Sequence, residues 1–376
     1  MNRLQGHICT PSGFVAGGIE WSPETGRILR IEGEPVTAKF VRDTAGTIIL
    51  PGFIDTHVHG GGGHDIMEGG GAASLVAALH GQHGTTSMLA TTMTAPVEDL
   101  TSAFEGLAAC MRKRLQGARI LGVHLEGPFI NESKLGAQPA FARPIDAVEL
   151  AALNAIAPIR LITLAPEVAG NLEAIKALVA GGFKVQIGHT AGNYEDGCRA
   201  LSQGADGFTH LFNAMTGLHH RDPGMVGAAL AHARFAEIIP DLVHVHRGAI
   251  HAALRCIPQL FCVTDSTAAA GMPDGEYRLG RHTVTKCMGG VRLADGTLAG
   301  STLTMDQALR NLVLELGLDL DDASQRVSSH AAAYLGLGDR GRLAKDAFAD
   351  IVVMNRDLDL TEVYGEGISL VGPSGK

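Results

Sequence analysis

Charge is scarce in this sequence and nowhere concentrated. Only 18% of the 376 residues are charged, 30 basic against 39 acidic give a formal net charge of −9, and no run of Lys or Arg is long enough to suggest a nucleic-acid or membrane patch. A nucleic-acid or membrane-binding face needs such a run, so neither partner is expected. Long apolar stretches are missing as well, none reaching the ~18 uninterrupted residues of a membrane span. The N-terminus, MNRLQGHICTPSG, lacks the charged-then-apolar order of a secretory leader, so a cytoplasmic location is expected. The six cysteines, Cys9, Cys110, Cys198, Cys256, Cys262 and Cys287, include no C-x-x-C pair and read as reduced structural thiols. Internal repeats and low-complexity tracts are also absent.

What remains is the composition of a folded protein. Apolar residues make up 45% of the chain, and the mean hydropathy is +0.14 with a pI near 6.0, too apolar for a disordered chain. The length allows two or three domains of about 150 residues, or one α/β barrel that uses most of it. Histidine is plentiful, at 17 residues, and imidazole is both the commonest neutral metal ligand and an acid-base group near neutrality.

Residues 1–50 hold short alternating segments such as Arg27-Ile-Leu-Arg-Ile-Glu32 and end in Thr47-Ile-Ile-Leu50, which reads as small strands. From Gly52 onward, brief β-type runs alternate with Ala- and Leu-rich helical stretches. The expected strands are Phe53–His59, Thr85–Ala90, Ile120–Glu126, Leu161–Ala165, Lys184–His189, Gly207–His210, Phe235–Ile239 and Gln259–Asp265. Eight such βα units fit an α/β fold of the (β/α)8, TIM-like kind, with chemistry at the strand C-terminal ends. Gly-rich hairpin text from Gly275 to Gly300 then precedes helical stretches at about 302–316 and 321–336, and a strand returns at Asp350-Ile-Val-Val-Met354. The expected organisation is a small β-domain formed by residues 1–50 and 346–376 around a barrel of residues 51–345.

The strand ends carry the reactive side chains. In Pro51-Gly-Phe-Ile-Asp-Thr-His57-Val-His59-Gly60, period-two alternation puts both imidazoles on one face, though an H-x-H alone can be a solvated strand end. Val123-His-Leu-Glu126-Gly-Pro128 ends an apolar run in a carboxylate, which is costly unless a cation or donors compensate it. A metal would do so, as would an N-cap or a salt bridge; His124 reads as structural or as supporting a ligand. Strands five and six end in His189 and His210. Neutral imidazoles with a carboxylate suit Zn2+ or a similar first-row dication, whereas Ca2+ and Mg2+ favour oxygen ligands. Strand eight brings Asp265 to the same rim, either as a general acid-base or as a cap on the next turn.

Taken in order, PGFIDTHVHG, HLEGPF, GHT, THLFNAM and VTDSTAAAG resemble the amidohydrolase superfamily and, within it, the N-acetylglucosamine-6-phosphate deacetylase family, from about Pro51 to Ser301. The resemblance implies a barrel with a small β-sandwich, a homodimer, and a principal divalent ion held by Glu126, His189 and His210. His57 and His59 match positions that support a second ion bridged by Glu126, so one or two ions per subunit are implied, Zn2+ first and Fe2+ as the alternative. Related cyclic amidases bridge two ions with a carboxylated lysine on strand four; Leu161-Ile-Thr-Leu-Ala165 offers none, which leaves Glu126 as the bridge. Asp265 matches the general acid-base.

For a sugar phosphate, the resemblance implies the backbone at Asn213-Ala214 together with Arg221 and His244, the basic groups coming from the neighbouring subunit. Gln138 stands twelve residues after Glu126, where several members place a His against the acyl carbonyl. Gln donates a hydrogen bond but not as a cation, so weaker oxyanion support and a different acyl preference are implied. Two departures affect the small domain: Ser329-His-Ala-Ala332 stands where many relatives read Asn-Pro-Ala, and no clear Gly-containing hairpin follows Met354.

The implied reaction is hydrolysis of the N-acetyl group of N-acetyl-D-glucosamine 6-phosphate to D-glucosamine 6-phosphate and acetate, in amino-sugar catabolism. The galactosamine epimer is the nearest competitor. An N-acyl or cyclic-amide hydrolase would leave the phosphate cluster without a use, and a metal-binding regulatory paralogue would be expected to lose Asp265 or a ligand.

Overall fold

Strands one to six form a continuous parallel ladder in chain order: Phe53–Val58, Thr85–Thr92, Arg119–Glu126, Ile159–Leu164, Lys184–Ile187 and Gly207–Phe208. Strand seven, Phe235–Ile238, pairs in parallel with strand eight, Gln259–Cys262. The circle closes through hydrogen bonds: Leu211 N–H donates to Glu237 O at 2.9 Å, and Asp265 N–H donates to His57 O at 2.9 Å. This computed structural model describes residues 1–287 and 289–372, so 373–376 of the expected C-terminal segment lie outside the described residues.

The strands read as unbroken apolar runs because helices cover one face and barrel side chains the other. Helices fill the intervals, among them Ala72–Gln82, Val97–Met111, Asn171–Ala180 and Arg247–Cys256. Local chemistry sets where they start. Asn193 accepts from Asp196 N–H while the Asp196 carboxylate accepts from Asn193 N–H, a reciprocal cap that opens Tyr194–Ser202.

After strand eight the Gly-rich text forms a three-stranded antiparallel sheet, Gly275–Leu279, His282–Cys287 and Gly290–Arg292, around the buried Met93, Leu279, Val284 and Val291. The stretch expected as one helix at 321–336 is two, Leu320–Arg326 and Ser329–Leu335. The carbonyl of Val327 accepts from Ile54 N–H of strand one at 2.9 Å, so the helix breaks where the barrel takes one of its acceptors.

Both termini build one mixed seven-stranded sheet, in the order Ile368–Val371, Leu360–Gly365, Ile351–Met354, Ile48–Pro51, Asn2–Thr10, Gly13–Trp21, Ile28–Val36. Alternation divides its faces. Ile8, Ile19, Trp21, Ile49, Ile351 and Val353 enclose a small core of their own, while Cys9, Phe14, Ile48, Leu50, Val352 and Met354 join the barrel core.

The tail therefore corrects one expectation: a hairpin does follow Met354. Its turn is Glu366-Gly367, with φ of 50° and 77°. The first left-handed position usually goes to Asn, Asp or Gly, and Glu hides the signal. Glu366 is held there because its N–H donates to Asp350 Oδ1 at 2.7 Å and its carboxylate pairs with Arg340.

Candidate active site

The ends of strands one, three, five, six and eight converge beneath a cavity of about 300 Å3. Glu126 is the centre. Its Oε1 lies 3.1 Å from both His189 Nε2 and His210 Nε2, and its Oε2 lies 3.1 Å from His59 Nε2 and 3.4 Å from His57 Nε2. Asp265 Oδ1 completes the second group at 3.4 Å from each of His57 and His59. One carboxylate thus faces two sets of ligand atoms, Glu126–His189–His210 and His57–His59–Asp265.

The backbone is bent to achieve this. His189, His210 and Asp265 all have positive φ, at 47°, 29° and 50°, a conformation that costs non-glycine residues about 1–3 kcal/mol each and persists where the surroundings enforce it. Gly127 follows Glu126 at φ 72°, and a Cβ there would lie 2.0 Å from Thr94 Oγ1, so only glycine lets the chain turn away directly after the carboxylate.

The donor set fits a divalent ion. His189 Nδ1 donates to Lys134 O at 2.8 Å and His57 Nδ1 donates to the Glu237 carboxylate at 3.0 Å, which in the neutral rings leaves both Nε2 atoms with lone pairs aimed inward. His57 Nε2 and His59 Nε2 lie 3.1 Å apart, as do His189 Nε2 and His210 Nε2. Such crowded nitrogens beside carboxylate oxygens need positive charge between them, and N/O ligation suits a first-row dication.

In the metal-free chain, protons partly meet that need. Burial pushes the His59 pKa down, but Asp265 and Glu126 outweigh it and lift the value to about 9. Burial raises Asp265 and Glu126, yet the facing histidines hold both carboxyls well below their ordinary range.

Gln138, Asn213, Ala214 and His244 line the cavity with His59 and Asp265, while Leu279, Thr297 and Leu298 of the antiparallel excursion cover one side. His57 lies fully buried beneath. His244 lines this chain's own cavity. Its Nδ1 donates to Asp241 Oδ2 at 2.6 Å; burial lowers its pKa, but Asp241 more than compensates and the net shift is upward. Arg221 is exposed, in the loop closed by the His219–Asp222 bridge, and is not part of the cavity lining. Asn213 spends its backbone N–H on His210 O and its side-chain amide on His210 O and Leu211 O.

Two buried carboxylates were not singled out by motif. Asp55 accepts from Thr264 Oγ1 at 2.7 Å and from His57 N–H at 3.2 Å, fastening strand eight to strand one. Glu237 contacts His57. It carries the same signal as Glu126, an acid inside an apolar strand, Phe235-Ala-Glu-Ile-Ile239. His124 donates or accepts only within the barrel, with Thr163 Oγ1 at 2.7 Å and Thr91 Oγ1 at 3.3 Å, and burial lowers its pKa to about 3.

Comparison with known proteins agrees with this geometry. The Amidohydrolase family model matches residues 48–368. The chain is 38% identical to the N-acetylgalactosamine-6-phosphate deacetylase of Escherichia coli O157:H7, over 91% of this chain and 92% of that protein. It is also 38% identical to the N-acetylglucosamine-6-phosphate deacetylase of Vibrio furnissii, over 85% and 82% of the two chains. Among solved structures, the N-acetylglucosamine-6-phosphate deacetylase of Thermotoga maritima superposes with a TM-score of 0.90 at 30% identity, covering 99% of this chain and 100% of that one. An aspartate-to-alanine mutant of the Mycobacterium smegmatis N-acetyl-D-glucosamine-6-phosphate deacetylase, in complex with N-acetyl-D-glucosamine-6-phosphate, gives 0.88 at 33% identity, covering 97% of each chain.

Proposed function

This chain belongs to the N-acetylglucosamine-6-phosphate deacetylase family of the amidohydrolase superfamily, and on that premise we propose that it removes acetate from an N-acetylhexosamine 6-phosphate. N-acetyl-D-glucosamine 6-phosphate is the substrate, D-glucosamine 6-phosphate and acetate are the products, and the reaction serves amino-sugar catabolism. The observation that carries this reading is the placement of Asp265, a buried carboxylate held ionised by histidines, at the rim of a cavity that also contains His244.

Glu126, His189 and His210 would hold the principal ion, Zn2+ or alternatively Fe2+, and His57 and His59 would hold a second where two are bound. Bound there, the ion supplies a Lewis acid that acidifies water and polarises an acyl oxygen. Asp265 accepts a proton from the attacking water and returns it to the departing amine. Gln138 donates toward the developing oxyanion. His244, whose pKa Asp241 raises against the lowering effect of burial, meets the phosphate beside the Ala214 backbone, and Arg221 joins it from the second subunit of a homodimer.

A second reading has a specific observation in its favour: the Escherichia coli relative, at 38% identity over 91% of the chain, is an N-acetylgalactosamine-6-phosphate deacetylase. A deacetylation assay on both epimers, each with and without its 6-phosphate, tests the proposal. A preference for the gluco epimer with phosphate supports it, a preference for the galacto epimer replaces the substrate, and indifference to phosphate ends the sugar-phosphate assignment.

A further inference from the structure

Glu237 stands in strand seven, fully buried, and both of its carboxylate oxygens are committed to groups from strands one, five and six. Oε2 accepts from His57 Nδ1 at 3.0 Å and from the His210 backbone N–H at 3.4 Å. Oε1 accepts from Thr56 Oγ1 at 2.8 Å and from Gln186 Nε2 at 3.2 Å. An ionised carboxylate has no hydrogen to give, so the hydrogen of the His57 contact sits on Nδ1 and, in the neutral ring that a metal requires, the lone pair is on Nε2. That lone pair faces His59, Glu126 and Asp265.

Each candidate ion set therefore contains one imidazole whose tautomer is fixed from behind, His189 by a backbone carbonyl and His57 by a carboxylate. A carboxylate behind a ligating imidazole orients the ring and raises its basicity, and losing such a partner typically costs 10–100-fold in metal affinity. We propose that Glu237 is a positioning residue for the ion at His57 and His59, acting by holding His57 in the Nδ1–H tautomer with Nε2 aimed at the cleft. The inference rests on reading His57 as an ion ligand, and it does not depend on which acyl substrate is hydrolysed.

Glu237→Gln separates this role from a purely structural one. The amide oxygen can still accept from Thr56 and Gln186, which keeps the strands tied together. Its NH2 then faces His57 Nδ1 and requires that nitrogen to accept, moving the ring hydrogen to Nε2 and removing the lone pair from the cleft.

The experiment is a Zn2+ titration of the metal-stripped full chain against a competing chelator. In Glu237→Gln one ion should bind as in the wild type and the other at least about tenfold more weakly, while Glu237→Asp, which keeps an acceptor, should retain most of the affinity. In a His57→Asn background, Glu237→Gln should produce no further loss. Superimposable isotherms for wild type and Glu237→Gln, equal weakening of both ions, or an additive loss in the His57→Asn background would each overturn the proposal. Should Glu237→Gln fail to fold, the Zn2+-loaded wild type decides by 15N-histidine NMR: hydrogen on His57 Nδ1 supports the role and hydrogen on Nε2 removes it. Deacetylation is read in none of these arms, so failure of the proposed activity would be recognised separately by the substrate assay.

Discussion

The side-chain nitrogen of Gln138 lies 2.6 Å from Glu126 Oε2. Its oxygen is identified by the Thr94 N–H, which donates to it at 2.6 Å, so the orientation of the amide follows from its neighbours. One amide hydrogen tethers Glu126, and one remains for the cavity. A residue expected only at the acyl carbonyl thus also restrains the carboxylate shared by both ligand sets.

Gln138→Ala should then lower two quantities at once. Loss of an oxyanion donor typically reduces kcat by about a hundredfold or more, and loss of the tether should weaken Zn2+ binding. Steady-state kinetics with saturating Zn2+, alongside a chelator competition, separates them. Unchanged Zn2+ affinity would confine Gln138 to the substrate side.

Asp265→Asn should keep the ion set Glu126–His189–His210, which Asp265 does not touch, and lose turnover. The amide cannot take the proton of water or return one to the amine. Elemental analysis with a deacetylation assay checks this, and a kcat close to the wild type would remove Asp265 from the chemistry.

The residues readable in the sequence are those whose role shows in local spacing. His57 and His59 share a strand face, and Glu126, His189, His210 and Asp265 each close a short apolar run, so the barrel and the convergence of its strand ends follow from the motifs. Roles created by pairing across the barrel leave no such mark. Asp55 reaches Thr264, 209 positions away, and Glu237 reaches His57, 180 positions away. The break at Val327 is equally hidden, because its cause is Ile54 on another element. The turn at Glu366 escapes for a different reason: Asp350 and Arg340 hold a residue that turn chemistry alone would not choose.

His80 gives a pH dependence with a definite sign. It is fully buried, with Nε2 near Gly60 O and Ser266 Oγ at 3.0 Å each, and burial lowers its pKa from 6.5 to about 4. Between those values the unfolded chain binds the proton and the folded chain does not, so this contribution is present above pH 6.5 and is lost as pH falls through about 4. Urea midpoints measured across that interval should fall more steeply for the wild type than for His80→Gln. Parallel curves would mean that His80 is not neutral in the fold.

The phosphate site gives the last prediction, because His244 and Arg221 stand differently toward the cavity. His244 lines it within one chain, so His244→Asn should penalise the phosphorylated sugar whatever the oligomeric state, and the same sugar without phosphate hardly at all. Arg221 is exposed and lies outside that lining, so its proposed contact with phosphate is from a second copy. A charge-assisted contact is worth about 1.5–3 kcal/mol, so Arg221→Ala should lower kcat/KM for the phosphorylated substrate by at least roughly tenfold. The shared site can be tested by co-expressing Arg221→Ala with Asp265→Asn chains. In a hybrid dimer the Arg221→Ala chain keeps its own Asp265 and receives Arg221 from its partner, which completes one site. Activity on the phosphorylated sugar above the sum of the separate variants is the expected result. No complementation would place Arg221 outside the partner's site, and an equal loss on both sugars would separate it from phosphate altogether.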